Sequence, residues 1–178
     1  GNLLSEVWEK GPKGWSAEKT SSFMESRAAR MDTFSGRNSA GLSATSLTQH
    51  LDDVLPLALD TFFNPALEEK EFNHARELVL EDIKTLEDSP TRLLSKMFAE
   101  TLFEGHPYGL PGVGFEKTVQ SFTPADLAAH FKKCTEENRI VVSVSGKFNV
   151  EKMCARFEAV KRKPAKIQSF ELPFQPPL

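Results

Sequence analysis

Apolar residues recur every three to four positions along most of the chain, a spacing that predicts amphipathic helices. Ser16, Ser89 and Thr123 precede three of these stretches and are suited to cap their first turns, whereas Gly11-Pro12 stops the first stretch. The predicted helices cover residues 3–10, 16–30, 47–63, 68–87, a stretch after Ser89-Pro90, a stretch from 123 onwards and 149–160. The helix after Ser89-Pro90 has a predicted apolar face of Leu93, Leu94, Met97, Phe98 and Leu102.

The period changes to two in a few shorter segments, which predicts strands. Residues 31–37 and 40–47 alternate apolar and small polar side chains around Gly36-Arg37-Asn38, the pattern of a β-hairpin. A further strand is predicted at 139–146, and the glycines and prolines of 105–114 predict a turn-rich loop. We therefore expect an α+β fold in which helices pack on an antiparallel or mixed sheet.

The domain organisation follows from the two ends of the sequence. Residues 1–160 carry all the periodic segments and are predicted to form one domain, whereas 161–178 contain four prolines and are typical of a linker towards a following domain. The chain opens inside an amphipathic turn with no capping residue before it. We therefore expect a fragment that lacks the N-terminal strands of its domain.

Charge and composition exclude several classes of function. The 22 basic and 25 acidic residues are dispersed and give a net charge of -3, which argues against a nucleic-acid-binding face. No apolar run approaches the roughly 20 residues that a membrane-spanning helix needs. Cys134 and Cys154 lie too far apart for a CxxC pair, so we expect two partly buried thiols whose role the sequence leaves open.

Several ordered segments together indicate a family. The later ones are His106-Pro107-Tyr108-Gly109, Gly112 and Gly114, the run 122–127, and Glu137-Asn138-Arg139 before a strand that ends at Gly146. The earlier ones are the hairpin at 32–42, Phe63-Asn64-Pro65 and the run 76–83. In this order and spacing they resemble one domain of the M16 peptidases, the family of pitrilysin, insulinase and the mitochondrial processing peptidase. The resemblance implies the α+β fold of that family.

The resemblance also implies that the zinc site of the family is degenerate in this chain. The family has an inverted motif, H-x-x-E-H, ahead of a Lys-Gly pair that matches Lys10-Gly11, and a glutamate ligand some seventy-odd residues later. This register places Asn2 and Glu6 at the histidine positions, Ser5 at the catalytic glutamate and Asp82 at the third ligand. Zinc prefers imidazole nitrogen and carboxylate ligands, so we expect no catalytic residue and no zinc in this chain.

Two further interpretations remain open for these segments. The oxygens of Asn2, Glu6 and Asp82 could instead hold a hard cation such as Mg²⁺ or Ca²⁺, with a solvated polar patch as the plainer alternative. The segment Asp32-Thr33-Phe34-Ser35 resembles the strand to which M16 peptidases add an extended substrate. The plainer alternative is an ordinary hairpin strand with Phe34 in the core.

The resemblance implies a non-catalytic domain or subunit of an M16-type peptidase. Such a domain would shape a peptide-substrate chamber with a partner domain or subunit that bears the zinc. One alternative is a structural module of the same fold, and another is the inert half of a longer, active zinc metallopeptidase. The sequence does not indicate the substrate or the cellular compartment.

Overall fold

A computed structural model describes residues 1–135 and 140–159 of the 178-residue chain. Short 3₁₀ turns at Thr48–His50 and Pro107–Gly109 connect its regular elements. The regular elements are α1 (Asn2–Trp8), α2 (Ala17–Glu25), β1 (Arg30–Ser35), β2 (Ala40–Thr45), α3 (Leu51–Phe63), α4 (Glu69–Glu87), α5 (Pro90–Leu102), α6 (Glu116–Ser121), α7 (Pro124–Cys134) and α8 (Val150–Glu158). The α+β class is confirmed, with helices around a small antiparallel hairpin.

The main core lies between α1, α4 and α7. Leu4, Val7 and Trp8 of α1 are each about 1% exposed, and Phe72 of α4 is fully buried against them. The Trp8 ring lies 5.1 Å from Phe62 and 5.3 Å from Phe131, and its indole N–H donates to the Thr61 carbonyl at 3.1 Å. Because the one polar atom of Trp8 has a partner, the whole ring can be buried at little cost.

Glycine is required where α1 ends. Gly11 is buried with a φ of +123°, and a Cβ atom there would come within 2.1 Å of the Thr20 hydroxyl. The chain then runs past α3, where Pro12 forms an isolated bridge with Pro65 and the Lys13 N–H donates to the Asn64 carbonyl at 2.9 Å. This turn holds α1 against the end of α3. The predicted stop of the first helix before Gly11-Pro12 is confirmed, since α1 ends at Trp8.

Most helix boundaries agree with the periodicity, and the N-caps at Ser16 and Thr123 are confirmed by side-chain bonds to Lys19 and Asp126. Thr123 and Asp126 form a reciprocal capping box. The predicted extension of the second helix to residue 30 is wrong. Helix α2 ends at Glu25 because Ala28 adopts a φ of +48° and β1 begins two residues later.

Other predictions differ from the structure in their packing. The apolar face of α5 does not reach a core, since Leu94, Met97, Phe98 and Leu102 are 56–68% exposed.

The strand predicted at 139–146 begins outside the described residues, and its described part, 140–145, carries no regular secondary structure. The predicted linker 161–178 lies outside the described residues. Cys134 is partly buried as expected, but Cys154 is exposed because it lies on the outer side of α8.

Candidate functional site

A cleft of about 600 Å³ opens between the start of α1, the end of β1, helix α5 and the loop 109–113. Asn2 and Ser35 line it on one side, and Arg92 and Lys96 line it on the other. These residues come from three separate elements that the fold brings together. The cleft therefore joins the position predicted for a family zinc ligand to the end of the predicted peptide-binding strand.

The polar face of α1 is tied to the hairpin. The Ser5 hydroxyl donates to the Asn2 carbonyl at 2.9 Å, and the Thr33 hydroxyl donates to the Ser5 carbonyl at 2.7 Å. Asn2 and Ser5 are half-buried, whereas Glu6 is exposed. The helix is thus fixed against β1 by a backbone carbonyl of the motif segment.

Asp82 lies on α4, which packs directly against α1, and it forms an ion pair with Arg92 of α5. The Arg92 Nη2 atom lies 2.9 Å from the Asp82 carboxylate, and both side chains are partly exposed. Asp82 therefore lies next to the cleft, because its ion-pair partner Arg92 lines the cleft. The Arg92 guanidinium compensates the negative charge of the Asp82 carboxylate.

The donor set at these positions does not fit zinc. At the predicted ligand positions Asn2 offers an amide, which is a poor zinc ligand, Glu6 offers one exposed carboxylate, and Asp82 is paired with Arg92. None of the three supplies an imidazole. Within residues 1–135 and 140–159, no group of three His, Cys, Asp or Glu side chains is arranged to hold a metal ion. The same pairing of Asp82 with Arg92 disfavours the hard-cation alternative. The assignment of Asn2, Ser5, Glu6 and Asp82 to the family motif itself stays a prediction.

The outer edge of β1 offers backbone groups for pairing. Arg30 to Ser35 pair with Thr45 to Ala40 in antiparallel register, and the Gly36 N–H donates to the Ser39 carbonyl at 2.7 Å. Hydrogen-bonded and non-hydrogen-bonded pairs alternate in such a ladder. Counting from Gly36, the N–H and C=O groups of Met31, Thr33 and Ser35 point away from β2. In the described part of the chain, no strand occupies that edge.

The side chains of the predicted substrate strand are placed unevenly. Thr33 contacts α1, Ser35 lines the cleft, and Asp32 pairs with Arg30 at 2.6 Å. Phe34 is 50% exposed and lies over Gly41, where a Cβ atom would come within 2.7 Å of its ring. The alternative that Phe34 belongs to the core is therefore wrong, because its strand position faces a glycine and solvent.

The turn of the β1–β2 hairpin is hydrogen-bonded to the turn-rich loop. Asn38 and the Tyr108 hydroxyl form reciprocal hydrogen bonds of 2.6 and 2.8 Å, and Arg37 donates to the Leu110 carbonyl at 3.2 Å. The Arg37 guanidinium also lies 5.5 Å from the centre of the Tyr108 ring. These contacts fix the loop 109–113 as a wall of the cleft.

Sequence reasoning missed the basic side chains of this cleft. Arg37, Arg92 and Lys96 line it, and none of the described lining residues is acidic. A lysine or arginine on an amphipathic helix is ordinarily a solvated residue, so no local signal distinguished them. Only the packing of α5 beside the hairpin brings them together.

Comparisons with known proteins agree with this architecture. The sequence model of the insulinase family, peptidase family M16, matches residues 1–114. An uncharacterized zinc protease of Bacillus subtilis is 25% identical over 164 residues, which are 89% of this chain and 40% of that protein. Another from Mycobacterium leprae is 29% identical over 126 residues, 70% of this chain and 28% of that protein.

Solved structures show the same fold. A peptidase M16 inactive domain from Pseudomonas fluorescens has a TM-score of 0.68 at 20% identity, covering 71% of this chain and 31% of that one. A protease from Helicobacter pylori has a TM-score of 0.76 at 21% identity, covering 97% of this chain and 42% of that one.

The protein therefore belongs to the M16 peptidase family, as the resemblance predicted. It spans less than half the length of each of these relatives. Within the described residues, no helix is both long enough and apolar enough to cross a membrane.

Proposed function

We propose that this chain is a non-catalytic M16 domain that forms one wall of a peptide-binding chamber opposite a zinc-bearing half. The observation that carries the proposal is that Asn2 and Ser35 line one cleft. The position predicted for a family zinc ligand and the outward-facing end of β1 therefore line the same cleft. At this meeting point the chain offers backbone groups and cations, and it lacks the imidazoles that peptide hydrolysis by this family requires.

Backbone pairing does not depend on the metal. The outward N–H and C=O groups of Met31, Thr33 and Ser35 can add an extended peptide as a further strand, whatever residues occupy the motif. An unpaired edge is otherwise a site of aggregation, which proteins usually block. Here the adjacent cleft leaves room beside the edge, in keeping with a role in binding an extended chain.

The apolar face of α5 supports the part of the proposal that concerns a partner domain. Leu94, Met97, Phe98 and Leu102 form a run of exposed apolar side chains on one helix. Exposed apolar patches of this kind mark interaction surfaces. The relatives are more than twice as long as the part that this chain matches, and one similar solved structure is a peptidase M16 inactive domain. Both observations favour a domain that works beside another half.

The test is binding of a fluorescently labelled peptide of alternating valine and threonine, which favours the strand conformation, measured by anisotropy. Ser35→Pro removes one outward N–H and leaves the ladder with β2 intact, because proline is tolerated on an edge position that faces outward. We expect this variant to bind about three- to tenfold more weakly, the loss of roughly one hydrogen bond.

The matched control is Ala44→Pro, which removes an outward N–H from the opposite edge of the same hairpin. It should leave peptide affinity unchanged. A peptide N-methylated at alternate residues should bind weakly to all variants. Failure of the unmodified peptide to bind would favour the alternative of a structural module, and equal effects of both substitutions would place binding elsewhere.

A further inference from the structure

The ionisable side chains that line the cleft all carry the same sign. Arg37, Arg92 and Lys96 face it, and no described lining residue is Asp or Glu. The chain as a whole has a net charge of -3, so this concentration of positive charge runs against the average of the molecule. Charges of one sign along a cleft raise the local concentration of ligands of the opposite sign.

These cations keep hydrogen-bonding capacity for a ligand. Arg92 has five N–H donors and its ion pair with Asp82 is made through Nη2. The Lys96 ammonium lies 3.9 Å from the Glu100 carboxylate, which is too far for a hydrogen bond. This partly exposed ion pair between adjacent helical turns contributes little to stability. Arg92 and Lys96 are one turn apart on α5 and can therefore address the same group.

The cleft is continuous with the outer edge of β1. Ser35 ends that edge and also lines the cleft. The hydrogen bond from Arg37 to the Leu110 carbonyl closes the far side of the cleft. A peptide paired along Met31, Thr33 and Ser35 that continues past Ser35 enters the cleft. Its next side chains or its terminus then meet the two cations of α5.

We propose that Arg92 and Lys96 bind a carboxylate of the peptide that pairs with β1, so that this domain selects peptides with an acidic group beyond Ser35. The inference rests on the proposed function, because the peptide is the ligand. The carboxylate can come from a glutamate or aspartate side chain or from the C-terminus of the peptide. Arginine holds carboxylates through two parallel N–H bonds, and lysine adds a point charge.

The test compares matched peptides. One series is amidated at the C-terminus and carries a single glutamate at successive positions, and its control series carries glutamine there. A third peptide is neutral in its side chains and has a free C-terminal carboxylate. We expect one glutamate position to bind about tenfold tighter than its glutamine counterpart, the size of one charge-assisted interaction. If only the third peptide bound more tightly, the cleft would be assigned to binding the C-terminal carboxylate of the peptide.

Substitutions on the protein identify the cations. Arg92→Gln with Lys96→Gln should abolish the tenfold preference and leave the affinity for the neutral amidated peptide unchanged. Lys152→Gln, an exposed lysine on α8, is the matched control and should preserve the preference. Salt near 1 M, where the screening length is about 3 Å, should erase it in the unmodified protein.

The outcomes separate this inference from the proposed function. Equal binding of the glutamate and glutamine peptides together with no gain from a free C-terminal carboxylate, or a preference that survives the double substitution, overturns the inference while edge binding stands. If no peptide binds, acetylglutamate amide and acetylglutamine amide are titrated and the ¹⁵N signals of the arginine side chains are followed. Shifts at Arg92 with the acid alone support carboxylate recognition, and their absence overturns it. Tighter binding of inorganic phosphate than of any peptide overturns it as well.

Discussion

One face of helix α1 carries Leu4, Val7 and Trp8, each about 1% exposed, whereas the other carries Asn2, Ser5 and Glu6, of which Asn2 lines the cleft. The buried face holds α1 against α4 and α7 through apolar area, and the indole hydrogen bond to the Thr61 carbonyl ties it to α3. The polar face contributes one backbone carbonyl to the hairpin. Because the two faces depend on different interactions, the fold can persist while the residues at the motif positions change.

The sharpest test of this comparison rebuilds the polar face. In the variant Asn2→His, Ser5→Glu, Glu6→His and Asp82→Glu we expect about one zinc ion per chain after dialysis, and we expect none in the parent chain. Helix α1 packs on α4, so the ligand-bearing helices are already adjacent. Cleavage of a quenched fluorescent peptide should stay undetectable, because catalysis also needs a held substrate and a positioned base.

The single substitution Asp82→Glu is the control for that variant and should bind no zinc, since it restores no imidazole. If the four-fold variant keeps its circular dichroism spectrum but holds no metal, then Asn2 and Glu6 do not face Asp82. In that case the register of the motif is wrong.

The buried face should show the largest effect on stability. Trp8→Ala removes a ring that contacts Phe62 and Phe131 and also leaves the Thr61 carbonyl without its donor. We expect a loss of about 3–5 kcal/mol in the free energy of unfolding, measured by urea denaturation. Trp15→Ala, a half-buried ring against Phe23, should cost clearly less. Equal losses would contradict the view that the α1 core dominates the fold.

A smaller effect is expected at His130, a largely exposed residue of α7. Partial burial lowers the pKa of His130, and the Gly1 amine and Lys133 lower it further. The unfolded chain therefore takes up this proton first as the pH falls below the ordinary value of about 6.5, so stability should decrease on acidification through that region. His130→Gln should flatten this part of a stability profile measured by urea denaturation. The exposed His74 provides the control as His74→Gln.

The smallest effect is expected at Glu6. Its side chain is exposed, and no described hydrogen bond or ion pair involves it. Glu6→Gln should change the free energy of unfolding by no more than about 0.5 kcal/mol, the usual range for surface substitutions. Thermal unfolding followed by circular dichroism is sufficient. A loss comparable to that of Trp8→Ala would show that the two faces of α1 are not independent.

Much of the fold could be predicted from the sequence because its signals are local. The 3.6-residue period of 69–87, the Thr123-Pro124 start of α7 and the Gly36-Arg37-Asn38 turn each determine their element within a few residues. The Asp32–Ser35 segment was correctly identified as one strand of a hairpin. The family could be predicted for the same reason, since its segments keep their order along the chain.

Tertiary structure decided what those elements face. Periodicity predicted the apolar face of α5 but not that Leu94 and Phe98 remain exposed, because burial depends on which neighbour arrives. It placed Phe34 in a strand but not over Gly41 and solvent. The basic cleft brings Arg37 to Arg92 and Lys96, which lie about fifty to sixty residues later in the sequence. These side chains come together only because the helices pack beside the hairpin. The local sequence pattern predicts only the turn, helix or strand in which each residue lies.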